Sequence, residues 1–169
     1  MCKLRLAGVV RESIVDGPGI RLTVFTQGCP HHCKGCQNPQ THDPKGGYDS
    51  NVDNIISAIK ENPMLQGVTL SGGEPFMQPE ALAVLAQKAH SMGLNIMTYT
   101  GYTYEQLLAG FDQHPHWKAL LKETDILVDG KFILEEKSLM LHFKGSKNQR
   151  IIDVPKSLKS GEVVLKTDI

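Results

Sequence analysis

Three cysteines fall within eight residues, in the order Cys29-Pro30-His31-His32-Cys33-Lys34-Gly35-Cys36. Thiolates are good ligands for iron, and an iron–sulfur cube ordinarily takes four of them. A loop that offers three leaves one iron without a protein ligand, and an open coordination position is the mark of a catalytic metal. The same thiols, with His31, His32 or His42 as a fourth ligand, would also make a structural zinc site, although Cys-x3-Cys-x2-Cys is not a common zinc spacing. A disulfide framework would spread its cysteines to close large loops, which this crowding does not do.

Three further segments allow either a ligand or a purely structural reading. Gly72-Gly73-Glu74-Pro75 stands between an apolar run and a helical one. Paired glycines let a ligand approach bare backbone and permit positive φ. Their carbonyls could accept from an ammonium group, and the positive end of the following helix favours a carboxylate. An amino acid moiety carries both groups, while an ordinary tight turn explains the same residues without a ligand. Asp16-Gly17-Pro18-Gly19 reads as a turn on its own, but it directly precedes the run that delivers the cysteines. Asp129 and Lys131 follow the apolar run Ile126–Val128, where an unpaired charge is costly. They form a salt bridge at the core edge or bind a ligand or cation.

The elements that must position these residues follow from periodicity. Arg21–Thr26 alternates like a strand and runs into the cysteine loop. Ser50–Asn62 reads as a helix, with a capping box of Ser50 and Asp53, an apolar face of Val52, Ile55, Ile56 and Ile59, and Pro63 beyond its end. Gly67–Ser71 is a short apolar strand. The next helix opens near Pro79, carries Leu82, Leu85, Ala89 and Met92 in one stripe, and stops at Gly93. Leu94–Thr98, Asp125–Asp129 and Arg150–Val154 read as strands, and Tyr104–Gly110 and Trp117–Leu121 as helices.

Strand–helix alternation at about 30-residue spacing predicts a parallel α/β arrangement. A full barrel of eight such units takes about 250 residues, so a chain of 169 has room for about four to six. The expected fold is therefore α/β, an incomplete TIM-type barrel, as one domain over residues 1–169. The glycine-rich and polar segments all follow strands, so they gather at the C-terminal strand ends, where such folds bind ligands.

Lysine plus arginine number 18 and aspartate plus glutamate 18, a formal net charge of zero, which gives no reason to expect nucleic acid or an anionic membrane as ligand. The amino terminus is too mixed in polarity for a secretory signal, and no apolar run approaches the roughly 18 residues of a membrane span. The expected location is the cytoplasm. Cys2 alone cannot build a second cluster and reads as a small residue near a frayed terminus. His90, His114, His116 and His142 lack metal-ligand spacing and read as surface or satisfied histidines. Trp117 reads as a core anchor.

Cys29-x3-Cys33-x2-Cys36 followed by Ser71-Gly72-Gly73-Glu74-Pro75 resembles the radical S-adenosylmethionine superfamily. Asp16-Gly-Pro-Gly-Ile-Arg21, Gln27-Gly28-Cys29 and Asn38-Pro39 narrow the resemblance to activases of glycyl radical enzymes. Thr100-Gly101-Tyr102, Leu127–Phe132 and Gly145–Gln149 are similar to the branch that serves anaerobic ribonucleoside-triphosphate reductase, and the likeness runs from near Gly8 to near Pro155.

The resemblance implies one [4Fe-4S] cluster on Cys29, Cys33 and Cys36, with S-adenosylmethionine as co-substrate against Gly35, Cys36, Gln37, Gly72, Gly73 and Glu74. It implies reductive cleavage to a 5′-deoxyadenosyl radical and hydrogen abstraction from a glycine of the reductase large subunit. Reduced flavodoxin or ferredoxin is the implied electron donor. Gly35 stands where most of the superfamily has an aromatic residue packed on adenine, so adenine contacts must come from elsewhere. Tyr99 stands where the formate-lyase branch carries an aspartate, which leaves Asp129 for any cation at the co-substrate carboxylate. His142–Arg150 docks the partner, covers the site or is a solvated loop. The alternatives are an activase of another glycyl radical enzyme, a radical enzyme acting on a small molecule, and a zinc-stabilised interaction domain.

Overall fold

The computed structural model describes residues 2–36, 38–138 and 140–169, and among these seven strands join in one mixed sheet. In chain order they are β1 (Lys3–Ser13), β2 (Arg21–Thr26), β3 (Tyr48–Asn51), β4 (Gly67–Gly72), β5 (Asn95–Tyr99), β6 (Ile126–Asp129) and β7 (Arg150–Asp153). Across the sheet the order is β3-β1-β2-β4-β5-β6-β7. β2, β4, β5 and β6 run parallel, whereas β1, β3 and β7 pair antiparallel at the two margins. The parallel arrangement expected from the sequence thus covers the four central strands and not the margins. The five α-helices among the described residues are α1 (Val52–Lys60), α2 (Pro79–Ser91), α3 (Tyr104–Ala109), α4 (Pro115–Glu123) and α5 (Val154–Ser160). α2 packs on β4 and β5 and against α1 and α4, and α4 against α5.

The central strands are buried on both faces. Leu22 and Val24 of β2, Val68 and Leu70 of β4, Ile96 of β5 and Leu127 of β6 join the helices in the main core. The alternate residues Arg21, Thr23, Thr69, Met97, Ile126 and Val128 lie on the other face and are buried as well. On that second face Tyr99 of β5, Ile151 of β7, and Phe143 and Ile169 from outside the strands pack on Met97, Ile126 and Val128. A strand covered twice needs little polar alternation, which is why such runs read as nearly continuous apolar stretches.

Arg21 shows how the covering loop is held. Its buried guanidinium has no carboxylate partner; it donates to Thr69 Oγ1 (2.8 Å), to the carbonyls of Pro18 (2.9 Å), Val68 (3.1 Å) and Asn95 (3.1 Å), and to Asn95 Oδ1 (2.9 Å). Burial pushes its pKa down to about 10, so it stays charged at neutral pH. The contact with Pro18 fixes the Asp16–Gly19 turn under the sheet. Thr69 Oγ1 donates to the Asp16 carbonyl (2.7 Å), and Ser13 Oγ donates to the Asp16 carboxylate (2.6 Å).

Several local expectations shift. The cap of α1 is Asn51, whose side chain accepts from Asn54 N, and Ser50 lies in β3 instead. Leu82, Leu85 and Ala89 are fully buried on α2, but Met92 caps the helix and is exposed. α5 follows β7 where only a strand was expected, capped by Asp153 with Pro155 in its first turn. β1 was not expected at all: its Leu4/Leu6 alternation breaks at an irregularity between Leu6 and Gly8. β3 is polar and largely exposed, and it is a strand because β1 offers it partners. Cys2 is half-buried against the core, and its carbonyl accepts from Val52 N.

His90, in the last turn of α2, is a satisfied histidine. Its ring bridges Glu123 (2.8 Å) and Asp125 (2.7 Å), and so ties α2 to the junction of α4 and β6. Burial alone would lower its pKa, but the hydrogen bonds to Asp125 and Glu123 outweigh it and raise the value. A raised folded-state value gives stability that is complete below the unfolded histidine value and is lost as pH climbs through the folded one. His90→Gln is therefore expected to cost about 1–2 kcal/mol in urea unfolding at pH 6, with the difference shrinking towards pH 9.

Candidate functional site

Cys29, Cys33 and Cys36 line one cavity of about 480 Å³ together with Gly72, Gly73 and Thr100. β2 delivers the cysteine loop, β4 the paired glycines and β5 Thr100, so the cavity opens where three parallel strands end. Two backbone bonds fasten the first two loops: Gly73 N donates to Thr26 O and Glu74 N to Gly28 O, each at 2.8 Å. The approach tolerates no side chain. A Cβ on Gly73 would come within 2.3 Å of Gly28 O, and Gly72 has φ +93°. These glycines serve the joint between loops while leaving their edge open to the cavity.

Glu74 does something the sequence did not suggest. It is fully buried, and it does not line the cavity. Its carboxylate accepts from Thr100 Oγ1 (2.9 Å to each oxygen), Gly101 N (2.8 Å), Phe76 N (3.0 Å) and the His31 ring (Nε2, 2.6 Å). Four donors from three loops meet on one group. His31 lies between the first two cysteines and is itself nearly buried, so Glu74 anchors the cysteine loop from within. Tyr102 packs edge-on against the His31 ring at 4.6 Å.

The donor set fits an iron–sulfur cluster. All three thiols are free and half-buried. Asn38 N–H donates to Cys36 Sγ at 3.4 Å. At Cys29, burial pushes the thiol pKa up and the backbone N–H groups of His31 and His32 pull it down, while Glu74 and Cys33 add to the rise. Amide donors already aimed at sulfur are what a thiolate ligand requires. Among the described residues no three His, Cys, Asp or Glu side chains gather about a point that could hold a metal ion. A cube assigns its three thiolates to three different irons, so its ligands need not converge on one point as zinc ligands must. Of the histidines weighed for zinc, His31 has its Nε2 committed to Glu74.

Other expected residues are placed differently. Asp129 is buried and its carboxylate is taken: Arg150 Nε donates to Oδ1 (3.1 Å), and Tyr104 N (2.8 Å) and Arg150 Nη2 donate to Oδ2. Arg150 also reaches Glu105 (2.6 Å). Asp129 thus forms a core-edge ion pair outside the cavity lining, the first of the two arrangements expected of it. Gly35 has φ +75° and faces Leu134, whose Cδ1 would lie 2.8 Å from an added Cβ; it too lies off the cavity lining. Gln37 lies outside the described residues.

The remaining wall comes from Tyr99 and from the later segments that carried the family likeness. Tyr99 and Phe143 line the cavity beside Phe132, and the Tyr99 hydroxyl donates to the Phe143 carbonyl (2.6 Å). Burial, and then Asp16, push the Tyr99 phenol well above its usual range against the opposing pull of Arg21, so it remains a neutral donor. Gln149 accepts from Gly145 N (2.8 Å) and Ser146 N (3.1 Å) and donates to Gly130 O (2.9 Å). The Gly145–Gln149 segment is therefore bound to the loop after β6 and covers one side of the cavity. Trp117 is a core anchor away from the cavity lining, buried with Nε1 donating to Phe76 O at 2.8 Å.

Comparison with known proteins agrees with this arrangement. A family model described as a 4Fe-4S single cluster domain matches residues 15–152. The chain is 40% identical over 147 residues to the anaerobic ribonucleoside-triphosphate reductase-activating protein of Vibrio cholerae serotype O1, covering 82% of this chain and 90% of that one. It is 35% identical over 144 residues to the protein of the same description from Escherichia coli strain K12, covering 80% and 90%. The counterpart from Enterobacteria phage T4 is 32% identical over 145 residues, covering 81% and 86%.

Removing the carboxylate should strand its buried donors. Glu74→Ala is expected to cost about 3–5 kcal/mol in anaerobic urea unfolding of the metal-free chain, and Thr100→Val about 1–2 kcal/mol. A Glu74→Ala cost below about 1 kcal/mol would mean that the three loops are held together by something else.

Proposed function

The chain belongs to the family of anaerobic ribonucleoside-triphosphate reductase-activating proteins, with a 4Fe-4S single cluster domain, and from that premise we propose that it generates the glycyl radical of an anaerobic ribonucleotide reductase. The observation that carries the proposal is that three free thiols and the bare Gly72-Gly73 edge line one cavity. The bound cluster would supply one electron to the sulfonium of S-adenosylmethionine, giving methionine and a 5′-deoxyadenosyl radical that takes a hydrogen atom from a glycine Cα and leaves as 5′-deoxyadenosine.

The protein's part is to hold, orient and exclude. Cys29, Cys33 and Cys36 would each ligate one iron and leave the fourth open to the co-substrate. The exposed backbone of Gly72 and Gly73 would receive the amino acid end of S-adenosylmethionine. Glu74, already saturated, keeps that edge against the cysteine loop and is a positioning residue. With Gly35 set against Leu134, the aromatic faces for adenine would come from Phe132 and Phe143 on the cavity wall. The Gly145–Gln149 cover would limit water at a reactive radical.

The parallel central strands, with the site at their C-terminal ends, support reading the sheet as an incomplete TIM-type barrel. The large subunit of the reductase is the proposed protein substrate, and reduced flavodoxin or ferredoxin the proposed electron donor. Among the described residues no helix is long and apolar enough to cross a membrane, in keeping with a cytoplasmic site of action.

The test is anaerobic purification, iron and sulfide analysis, reduction, and addition of S-adenosylmethionine. About four irons per chain and equal yields of methionine and 5′-deoxyadenosine are expected, followed by an electron paramagnetic resonance doublet when the reductase is added. Cys29→Ala, Cys33→Ala and Cys36→Ala should each abolish cleavage. One zinc per chain with intact S-adenosylmethionine would leave a zinc-stabilised interaction domain in its place.

A further inference from the structure

Buried polar atoms in native proteins have partners, and an orphan marks a water, an ion or a redox role. Among the described residues one buried side-chain nitrogen or oxygen lacks a partner: Nε2 of His42. Leaving such an atom bare costs about 1–3 kcal/mol. Its location is informative. His42 lines the cavity that holds the three thiols, and it also lines a second cavity on the other side of Cys29, next to His32.

The ring is held there by its own chain segment. Cys29 N donates to the His42 carbonyl (3.1 Å), and Gly28 N to the Thr41 carbonyl (2.6 Å). Thr41 Oγ1 donates to Asn38 O (2.6 Å), Gln27 Nε2 donates to Gln40 O (2.9 Å), and Asn38 N–H in turn meets Cys36 Sγ. The segment from Asn38 to His42 is thus fastened to both ends of the cysteine loop. The His32 ring packs edge-on at 5.0 Å and fixes the plane of the His42 imidazole. An imidazole so placed keeps one N–H and one lone pair, and an anionic sulfur within reach of Nε2 would select the tautomer with hydrogen on that nitrogen.

We propose that His42 is a positioning residue for the cluster, its Nε2–H donating to a sulfur of the group held by Cys29, Cys33 and Cys36 and favouring the reduced state. Hydrogen bonds to cluster sulfurs are among the determinants of reduction potential, because the reduced form carries one more negative charge for the donor to stabilise. The inference rests on the iron–sulfur reading of the loop, in which backbone N–H groups already serve Cys29 and Cys36 and His42 adds a side-chain donor.

The experiment is a redox titration of the iron-loaded protein followed by electron paramagnetic resonance. His42→Phe and His42→Leu remove the donor at two side-chain volumes, and His42→Gln restores an N–H. The donor-free variants are expected to lower the midpoint potential, leaving the cluster about tenfold less reduced at a fixed solution potential, about 59 mV for a one-electron couple. His42→Gln is expected to fall between them and the unsubstituted protein. An unchanged potential in a fully loaded donor-free variant, or equal shifts in all three, would overturn the assignment, as for a nitrogen that bonds only water. If neither donor-free variant keeps its iron, recovery of loading in His42→Gln supports the same contact and failure to recover opposes it. Absence of iron from the unsubstituted protein would refute the cluster itself, a distinct result from an intact cluster whose potential ignores His42.

Discussion

A buried carboxylate governs this structure. Glu74 has no exposed surface, and an ion of its kind is tolerable in such a place only when its lone pairs are filled. Here His31, Phe76, Thr100 and Gly101 fill them, and these donors belong to the loops after β2, β4 and β5. The cost of burying the charge is offset only while all three loops keep their places. That makes the cysteine loop, the paired glycines and the Thr100 turn one mechanical unit, which is what a site assembled from separate strand ends requires. The backbone bonds from Gly73 to Thr26 and from Glu74 to Gly28 add a second, shorter fastening to the same joint.

The sheet supplies the stage for that unit. Four parallel strands covered by helices on one face and by loops on the other leave their C-terminal ends as the place where backbone groups remain free. The covering loops are themselves tied to strand side chains: Arg21 holds the turn before β2, and Tyr99 holds the carbonyl of Phe143. Gln149 binds the segment after Phe143 to Gly130. Parts of the cavity wall are therefore fixed by hydrogen bonds between residues distant in sequence.

That distance explains what the amino-acid order could and could not disclose. The three cysteines and Gly72-Gly73 were legible because their chemistry depends on residue type and local spacing. The central strands were legible because burial on both faces leaves dense apolar runs. Glu74 looked like a ligand contact, since its partners His31 and Thr100 stand 43 and 26 residues away. Asp129 allowed two readings until Arg150, 21 residues on, was found against it. Gly35 was read by analogy, whereas its surroundings are set by Leu134 from a distant loop. Two marginal strands, β1 and β3, failed for the same reason: β1 has an interrupted alternation, and polar β3 depends on β1 for its conformation. Among the histidines, nearness to the thiols marked His31, His32 and His42 only as candidate zinc ligands, and packing is what sets His31 on Glu74, His42 beside Cys29 and His90 in its ion pair.

An open iron facing the Gly72-Gly73 edge is tested most directly by the electron paramagnetic resonance spectrum of the reduced protein before and after S-adenosylmethionine. Binding of the co-substrate amino and carboxylate groups at the open position should change the g-values of the cluster while the iron content stays the same. A spectrum that does not respond to saturating S-adenosylmethionine in a fully loaded cluster would contradict the arrangement, because the iron would then be closed or turned away from the cavity.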